Sequence, residues 1–231
     1  MWGMNTVEKA VAVDPTVGNA RAVPLSPLAY RLQYSVVKRS TDALLAAIGL
    51  ILLAPLFLLL AVLIKLTSTG PILYAWDVIG RGGRPFRGYK FRTMVIGADA
   101  LKPQLNHKNE MTGPVFKMRA DPRIMPVGRF LRKYSLDELP QLWSVLKGDM
   151  SLVGPRPAGR QEWQHYEPWQ RRKLSVTPGI TCLWQVSGRN RVSDFDEWVR
   201  MDLDYIDHWS LWLDLRILLR TVAVVLRGTG M

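Results

Sequence analysis

From Ala43 to Ile64 the chain runs for 22 residues without a charge, interrupted near its middle by Pro55. As one helix the run would be about 33 Å long, against a hydrocarbon core of about 30 Å, so its length alone fits a membrane crossing. Pro55 argues for a bend, because it cannot donate to the carbonyl of Ile51 and it clashes with the preceding turn. The flanks argue more strongly. Lys9, Arg21, Arg31, Lys38 and Arg39 precede the run, and Lys65, Arg81, Arg84, Arg87 and Lys90 follow it. A spanning helix would carry one of these basic flanks across the bilayer, against the positive-inside bias. A helix that enters, breaks at Ala54-Pro55 and returns keeps both flanks on the anionic inner leaflet. The re-entrant reading is therefore favoured over a kinked spanning helix or a buried core helix. At the start of the run Arg39 and Asp42 stand at i,i+3, where they pair on one helix face or serve as separate interfacial charges.

The full chain has 231 residues, enough for one catalytic unit with a membrane element. The expected division is a flexible arm over 1–33, a re-entrant helix over 34–66 and a membrane-associated domain on the cytosolic side over 67–231. Met1 to Leu32 has no continuous apolar segment of the kind a signal peptide needs. A formal charge of +12 calls for a polyanionic partner: nucleic acid, an acidic leaflet or a phosphorylated substrate. Cys182 is the only cysteine, which excludes a disulfide framework and a thiolate cluster. His107, His165 and His208 are too scattered for a zinc motif.

Beyond the run, Ile72 to Trp76 and Pro85 to Phe91 read as strands of a hairpin around Gly80-Arg81-Gly82-Gly83. Asp99 to Gln104 reads as a short helix or loop. Leu139, Leu142, Trp143 and Leu146 recur at helical spacing and stop at Gly148. Gln161 to Leu174 mixes Trp163, Tyr166 and Trp169 with Arg171, Arg172 and Lys173, the composition of a surface-lying helix bent at Pro168. From Tyr205 to Leu226, Trp209, Trp212, Leu215, Leu219 and Val222 form an apolar stripe opposite Arg216 and Arg220. That segment either docks on the core or lies in the bilayer interface. The expected class is α+β: a re-entrant membrane helix hairpin with a mostly helical domain, a small β-hairpin and interfacial amphipathic helices.

The chemistry concentrates between Ser135 and Pro157. Asp137 and Glu138 are adjacent carboxylates, suited to holding a hard cation or attacking phosphorus, and equally suited to a capping box begun by Ser135. Pro140 weakens the capping alternative: if it starts the helix, both carboxylates fall just before a positive helix pole. Pro155-Arg156-Pro157 restricts the backbone on both sides of a guanidinium and favours a fixed anion clamp, against an arginine in an ordinary extended loop. Lys90 and Arg92 fall on one side of a strand, as substrate contacts or as a solvated face. Ser187-Gly188-Arg189-Asn190 can contact a base or ribose, or simply turn the chain.

Lys38-Arg39-x-x-Asp42 ahead of a proline-broken run, YKFRTM at 89–94, GPVFK at 113–117, DPR at 121–123, GRFLRKYSLDELPQLWSVLKGDMSLVGPRP at 128–157, PGITCLWQVSGRN at 178–190 and DYIDHWSLWLD at 204–214 together resemble the bacterial sugar transferases, the monotopic polyprenyl-phosphate phosphoglycosyl transferases. The resemblance implies transfer of a sugar phosphate from a UDP-sugar to polyprenyl (undecaprenyl) phosphate at the cytosolic face of a bacterial inner membrane, with release of UMP, to begin a surface glycan such as exopolysaccharide. It implies Asp137 as the nucleophile of a phosphosugar-aspartyl intermediate and Glu138 as its partner, both linked to Mg²⁺. Arg156 matches a phosphate-gripping arginine, and Lys90, Arg132 and Asp202 match further active-site positions. Lys38, Arg39, Asp42 and Pro55 belong to the membrane hairpin. The implied partners are the UDP-sugar, the polyprenyl phosphate and inner-leaflet lipids, with no nucleic acid; a homodimer is left open. The main rival, a nucleic-acid binder using +12 and nine tryptophans, leaves the apolar run and the carboxylate pair unexplained. Two positions depart from the family pattern: Ala54-Pro55 replaces Ser-Pro, and Trp76-Asp77-Val78-Ile79-Gly80 replaces Gln-x-Arg-x-Gly, which removes a substrate contact expected there. The several-helix extension of larger relatives is missing, so a short form is expected.

Overall fold

The computed structural model describes residues 36–188 and 192–230, so the arm at 1–33 and the turn residues Arg189 and Asn190 lie outside the described residues. The apolar run folds as two helices, α1 (Val36–Leu52) and α2 (Ala54–Thr67), bent by 60° where they meet. Pro55 sets the break. It offers the Ile51 carbonyl no donor, whereas the Leu53 N–H still reaches Gly49 O (2.9 Å) and the Phe57 N–H reaches Leu53 O (2.8 Å), which confines the interruption to one turn. Among the described residues no single helix is long and apolar enough to cross a membrane, but the bent pair together has the length and composition.

The expected hairpin forms. Strands β1 (Leu73–Ile79) and β2 (Pro85–Phe91) pair antiparallel from Leu73 opposite Phe91 to Ile79 opposite Pro85. Helices α3 (Ala98–Leu105), α4 (Pro126–Lys133) and α5 (Gln141–Lys147) follow, the last stopped by Gly148 in the left-handed region. Strand β3 (Ser151–Val153) leads to β4 (Ala158–Gly159), which adds to the free edge of β1 and completes a sheet of order β2-β1-β4. Short helices α6 (Arg160–Gln164) and α7 (Pro168–Arg171) precede β5 (Gly179–Thr181), which pairs parallel with β3. Then come α8 (Leu183–Val186), α9 (Phe195–Asp207) and α10 (Leu211–Arg227). The fold is mixed and mostly helical, as the sequence indicates.

Three readings are corrected by packing. First, Arg39 does not pair with Asp42. Its two terminal nitrogens donate to the Val145 and Leu146 carbonyls (2.7 Å each), capping the last turn of α5, while Asp42 accepts from Ser151 Oγ (2.7 Å) and the Leu152 N–H (3.3 Å). The nearer cation is Lys38, 3.9 Å from Asp42 and 2.7 Å from Asp214 on α10. Second, the aromatic and basic stretch at 161–174 is not a surface helix. Trp163 and Tyr166 lie in the main core with Trp184, Phe195 and Trp198, and Lys173 is 1% exposed. Third, the C-terminal segment is broken between α9 and α10, with Ser210 Oγ capping α10 by accepting from the Leu213 N–H (3.1 Å). Trp209 leaves the stripe to pack on the core and donate to Asp214 (3.0 Å). Helix α10 docks through Asp214 and Ile217 and leaves Trp212, Leu215, Leu219 and Val222 exposed.

The hairpin helices are likewise two-faced. Leu60 and Ile64 of α2 pack on Phe91 and Leu131, and Ala46 of α1 packs with Val145 and Met150. Leu44, Ile51, Leu52, Leu58, Leu59 and Leu66 remain exposed on the two helices.

Candidate active site

Helix α4 ends at Lys133, and the chain reverses at Ser135, which has φ 51° and ψ 24°, the one left-handed residue other than glycine among those described. Such a conformation costs an L-residue of order 1 kcal/mol or more and persists only where the surroundings hold it. It rules out the capping box: the Ser135 N–H donates to the Arg132 carbonyl (3.0 Å), and Pro140, not Ser135, occupies the N-cap of α5. Asp137 and Glu138 thus sit in a single 3₁₀ turn, Leu136–Glu138, just ahead of that helix. Leu136 packs against the Phe91–Leu131 cluster and anchors the turn against the sheet.

Asp137 is 7% exposed, and it is the carboxylate that acts most strongly on both Lys90 and Arg132. Burial lowers the Lys90 ammonium below the usual lysine range; Asp137 and Glu138 oppose this, and Arg132 and Arg156 reinforce it. Arg132 is oriented by donating from Nε to Thr93 Oγ1 (2.9 Å). Glu138, Lys90 and Arg156 line one cleft of about 500 Å³, together with Tyr74, Trp76 and Gln141. The turn therefore places Glu138 at a cleft lined with cations that attract anionic groups from solvent, with the buried Asp137 directly behind it in the chain.

Arg156 is fixed from several directions. Prolines flank it, its guanidinium carbon lies 5.1 Å from the centre of the Trp198 ring, and the buried Asp202 carboxylate attracts its charge. The loop is pinned where β3 meets β5: the Gly179 N–H reaches Pro155 O (2.9 Å) and the Gly154 N–H reaches Thr181 O (3.0 Å). A Cβ on Gly179 would come within 2.1 Å of Gly154 N, which explains glycine in both the VGPRP and PGIT segments.

Asp202 does not line the cleft. It is 1% exposed beneath Arg156, with Lys173 Nζ 2.7 Å from its Oδ2. Burial pushes its carboxyl up, and the charges of Lys173 and Arg156 oppose that. Arg92 is also structural: Nε donates to Pro71 O (2.6 Å), and its terminal nitrogens donate to Ser68 Oγ (2.9 Å) and Ser68 O (3.1 Å). Its role is to secure the segment that leaves α2. Lys38, Arg39 and Asp42 tie the hairpin to the domain rather than entering the cleft. In the sequence Lys173 reads only as one cation in a basic run, with no local signal of its buried partner. Replacing it with methionine should destabilise the protein by about 3–5 kcal/mol, since it strands a buried carboxylate. Equilibrium unfolding measures this, and a loss below about 1 kcal/mol would show that the pair is not held as described.

No cluster of three or more His, Cys, Asp or Glu side chains suited to a metal occurs among the described residues. Two adjacent carboxylates do fit Mg²⁺, which takes one or two acidic ligands, keeps its waters and draws further oxygens from substrate phosphates.

Paired acids beneath converging lysine and arginine side chains suit the handling of phosphate esters. Residues 33–228 match the bacterial sugar transferase family, and the chain belongs to it. It is 48% identical over 201 residues to the galactosyl transferase CpsE of Streptococcus agalactiae, an alignment covering 87% of this chain and 44% of that protein. To the undecaprenyl-phosphate galactose phosphotransferase of Salmonella typhimurium it is 45% identical over 199 residues, covering 84% and 41%. To the exopolysaccharide production protein ExoY of Sinorhizobium fredii it is 41% identical over 212 residues, covering 90% and 93%. The chain thus spans less than half the length of the first two relatives and nearly all of the third.

Proposed function

We propose that this protein transfers a sugar 1-phosphate from a UDP-sugar to undecaprenyl phosphate, releasing UMP and forming the lipid diphosphosugar that begins a bacterial surface glycan. The observation that carries the reading is the Asp137–Glu138 turn at the cleft lined by Lys90 and Arg156, with Arg132 beside it. Family membership and the activities for which the relatives are named support it.

In the proposed mechanism an Asp137 carboxylate oxygen attacks the β-phosphorus of the donor. The bond from that phosphorus to the bridging oxygen breaks, and UMP leaves with the bridging oxygen's electron pair. The acceptor phosphate oxygen then attacks the same phosphorus, the bond to Asp137 breaks, and the carboxylate is restored. Two successive displacements spare the site from holding two polyanionic substrates at once. Lys90, Arg132 and Arg156 stabilise charge on the transferring phosphoryl oxygens, and Arg156 does so in a planar two-point grip. Mg²⁺ held by Asp137 and Glu138 would supply further neutralisation of the diphosphate. Purified protein incubated with undecaprenyl phosphate, Mg²⁺ and a panel of UDP-sugars should release UMP and form a lipid-linked sugar with at least one donor. Release from none of them would overturn the reading.

The proposal includes a cytosolic-face membrane location, with the α1–α2 hairpin re-entrant in one leaflet. Support comes from the 60° bend, the exposed apolar residues on both helices and the basic residues at both flanks. In a Cys182→Ser background, single cysteines at Asn19 and Lys108 should both resist an impermeant thiol reagent in intact cells and both react after lysis. Labelling at Asn19 in intact cells would establish a spanning helix.

A further inference from the structure

Tyr74 and Trp76 alternate on β1, so their side chains share a face of the hairpin, and both line the cleft that holds Glu138 and Arg156. Their rings lie nearly parallel, 19° apart, with centres separated by 6.1 Å. The opposite strand is cleared for the larger ring. Gly88 pairs with Trp76, and a Cβ on Gly88 would approach the indole to 3.0 Å and Val78 Cγ2 to 2.6 Å. Lys90, two residues further along the same face, holds its ammonium 5.0 Å from the Trp76 ring centre and 5.3 Å from that of Tyr74.

Both rings are only half-buried, and no core cluster contains either of them. Two adjacent aromatic rings at the wall of a polar cleft offer a ligand an apolar face to pack on. The shelf also has a defined neighbour: the lysine that lies against it is the one on which Asp137 acts.

We propose that the Tyr74–Trp76 shelf seats the pyranose ring of the donor, making Trp76 a specificity-determining residue of the cleft; this rests on the transferase reading above. A pyranose presents a face of C–H groups that packs on the negative face of an aromatic ring and a rim of hydroxyls that needs polar partners. Gln141, Gln161 and Glu162 line the same cleft and have groups of that kind. The sugar is chosen over the uracil by position. In a UDP-sugar the pyranose hangs directly from the phosphorus that Asp137 attacks, while the base lies beyond the second phosphate and the ribose. The shelf shares its cleft with Glu138, the residue next to Asp137, which puts it on the sugar side.

The test compares wild type, Trp76→Ala and Trp76→Phe in UMP release, with the UMP inhibition constant taken as the constant for UMP binding to the free enzyme, measured by calorimetry in the absence of donor and acceptor. Trp76→Ala should raise the donor KM about tenfold or more while leaving the UMP inhibition constant and the undecaprenyl phosphate KM within about twofold. Trp76→Phe, which keeps a ring face, should stay within about threefold of wild type. If the alanine variant does not fold, Trp76→Leu, which fills the space without a ring face, takes its place. An unchanged donor KM overturns the shelf and leaves the transferase reading intact. A UMP inhibition constant that rises in parallel with the donor KM assigns the shelf to the base and overturns the sugar assignment. A wild-type protein that releases UMP from no donor overturns the transferase reading and the shelf with it.

Discussion

Asp137→Asn should fold, keep its donor affinity to within a few fold and lose transfer by on the order of 10⁴-fold or more, as expected when the group that forms the covalent bond is removed. The amide matches the carboxylate in shape, so the 3₁₀ turn and the packing of Leu136 are undisturbed. What disappears is the nucleophile. The amide also takes away the negative charge that Lys90 and Arg132 face, which favours donor binding and argues against loss of affinity as the cause. The direct check uses donor labelled in the β-phosphate: wild type without acceptor should retain label on the denatured protein, and Asp137→Asn should retain none. Turnover near the wild-type level would remove Asp137 from the covalent role.

Arg156→Lys should lower kcat/KM for the donor by roughly 10²–10³-fold, the scale of losing a placed charge donor in the transition state. Two prolines, the Trp198 ring and the Asp202 carboxylate hold this residue, and such fixing serves a side chain that must meet two oxygens at a set angle. An ammonium retains the charge and loses the second point of contact. Steady-state kinetics with varied donor make the comparison; a loss under about threefold would reduce Arg156 to a point charge.

Local rules carried much of the fold into view. The hairpin around 80–83 followed from strand runs and glycines, the stop at Gly148 from a left-handed cap, and the break at Pro55 from a missing donor. The candidate site was legible where a short segment holds several of its members: Asp137, Glu138 and Arg156 lie within twenty residues of one another, and a proline explains why the acids precede a helix. Charges were harder. Arg92 follows Lys90 at strand spacing, yet the strand ends at Phe91 and the guanidinium turns back to Ser68 and Pro71. Lys173 looks solvated beside Arg171 and Arg172, yet its partner Asp202 is supplied by a distant helix. The rings at Trp163 and Tyr166 have the composition of an interfacial helix, but the short helices around Pro168 fold them inward. In each case the deciding contact is remote in sequence, and local periodicity carries no record of it.

The ion pair between Lys38 and Asp214 joins residues 176 positions apart. Lys38 also donates to the Val153 carbonyl (3.1 Å), and Tyr205 meets both Val153 (3.1 Å) and Asp214 (2.7 Å). Consequently, the first helix cannot take up its final seat until Asp214 on α10 has left the ribosome. During synthesis at about 5–20 residues per second, the apolar helices emerge many seconds before their partner on α10 exists. Docking of the hairpin on the domain and assembly of the cleft therefore come late, after α10 is made.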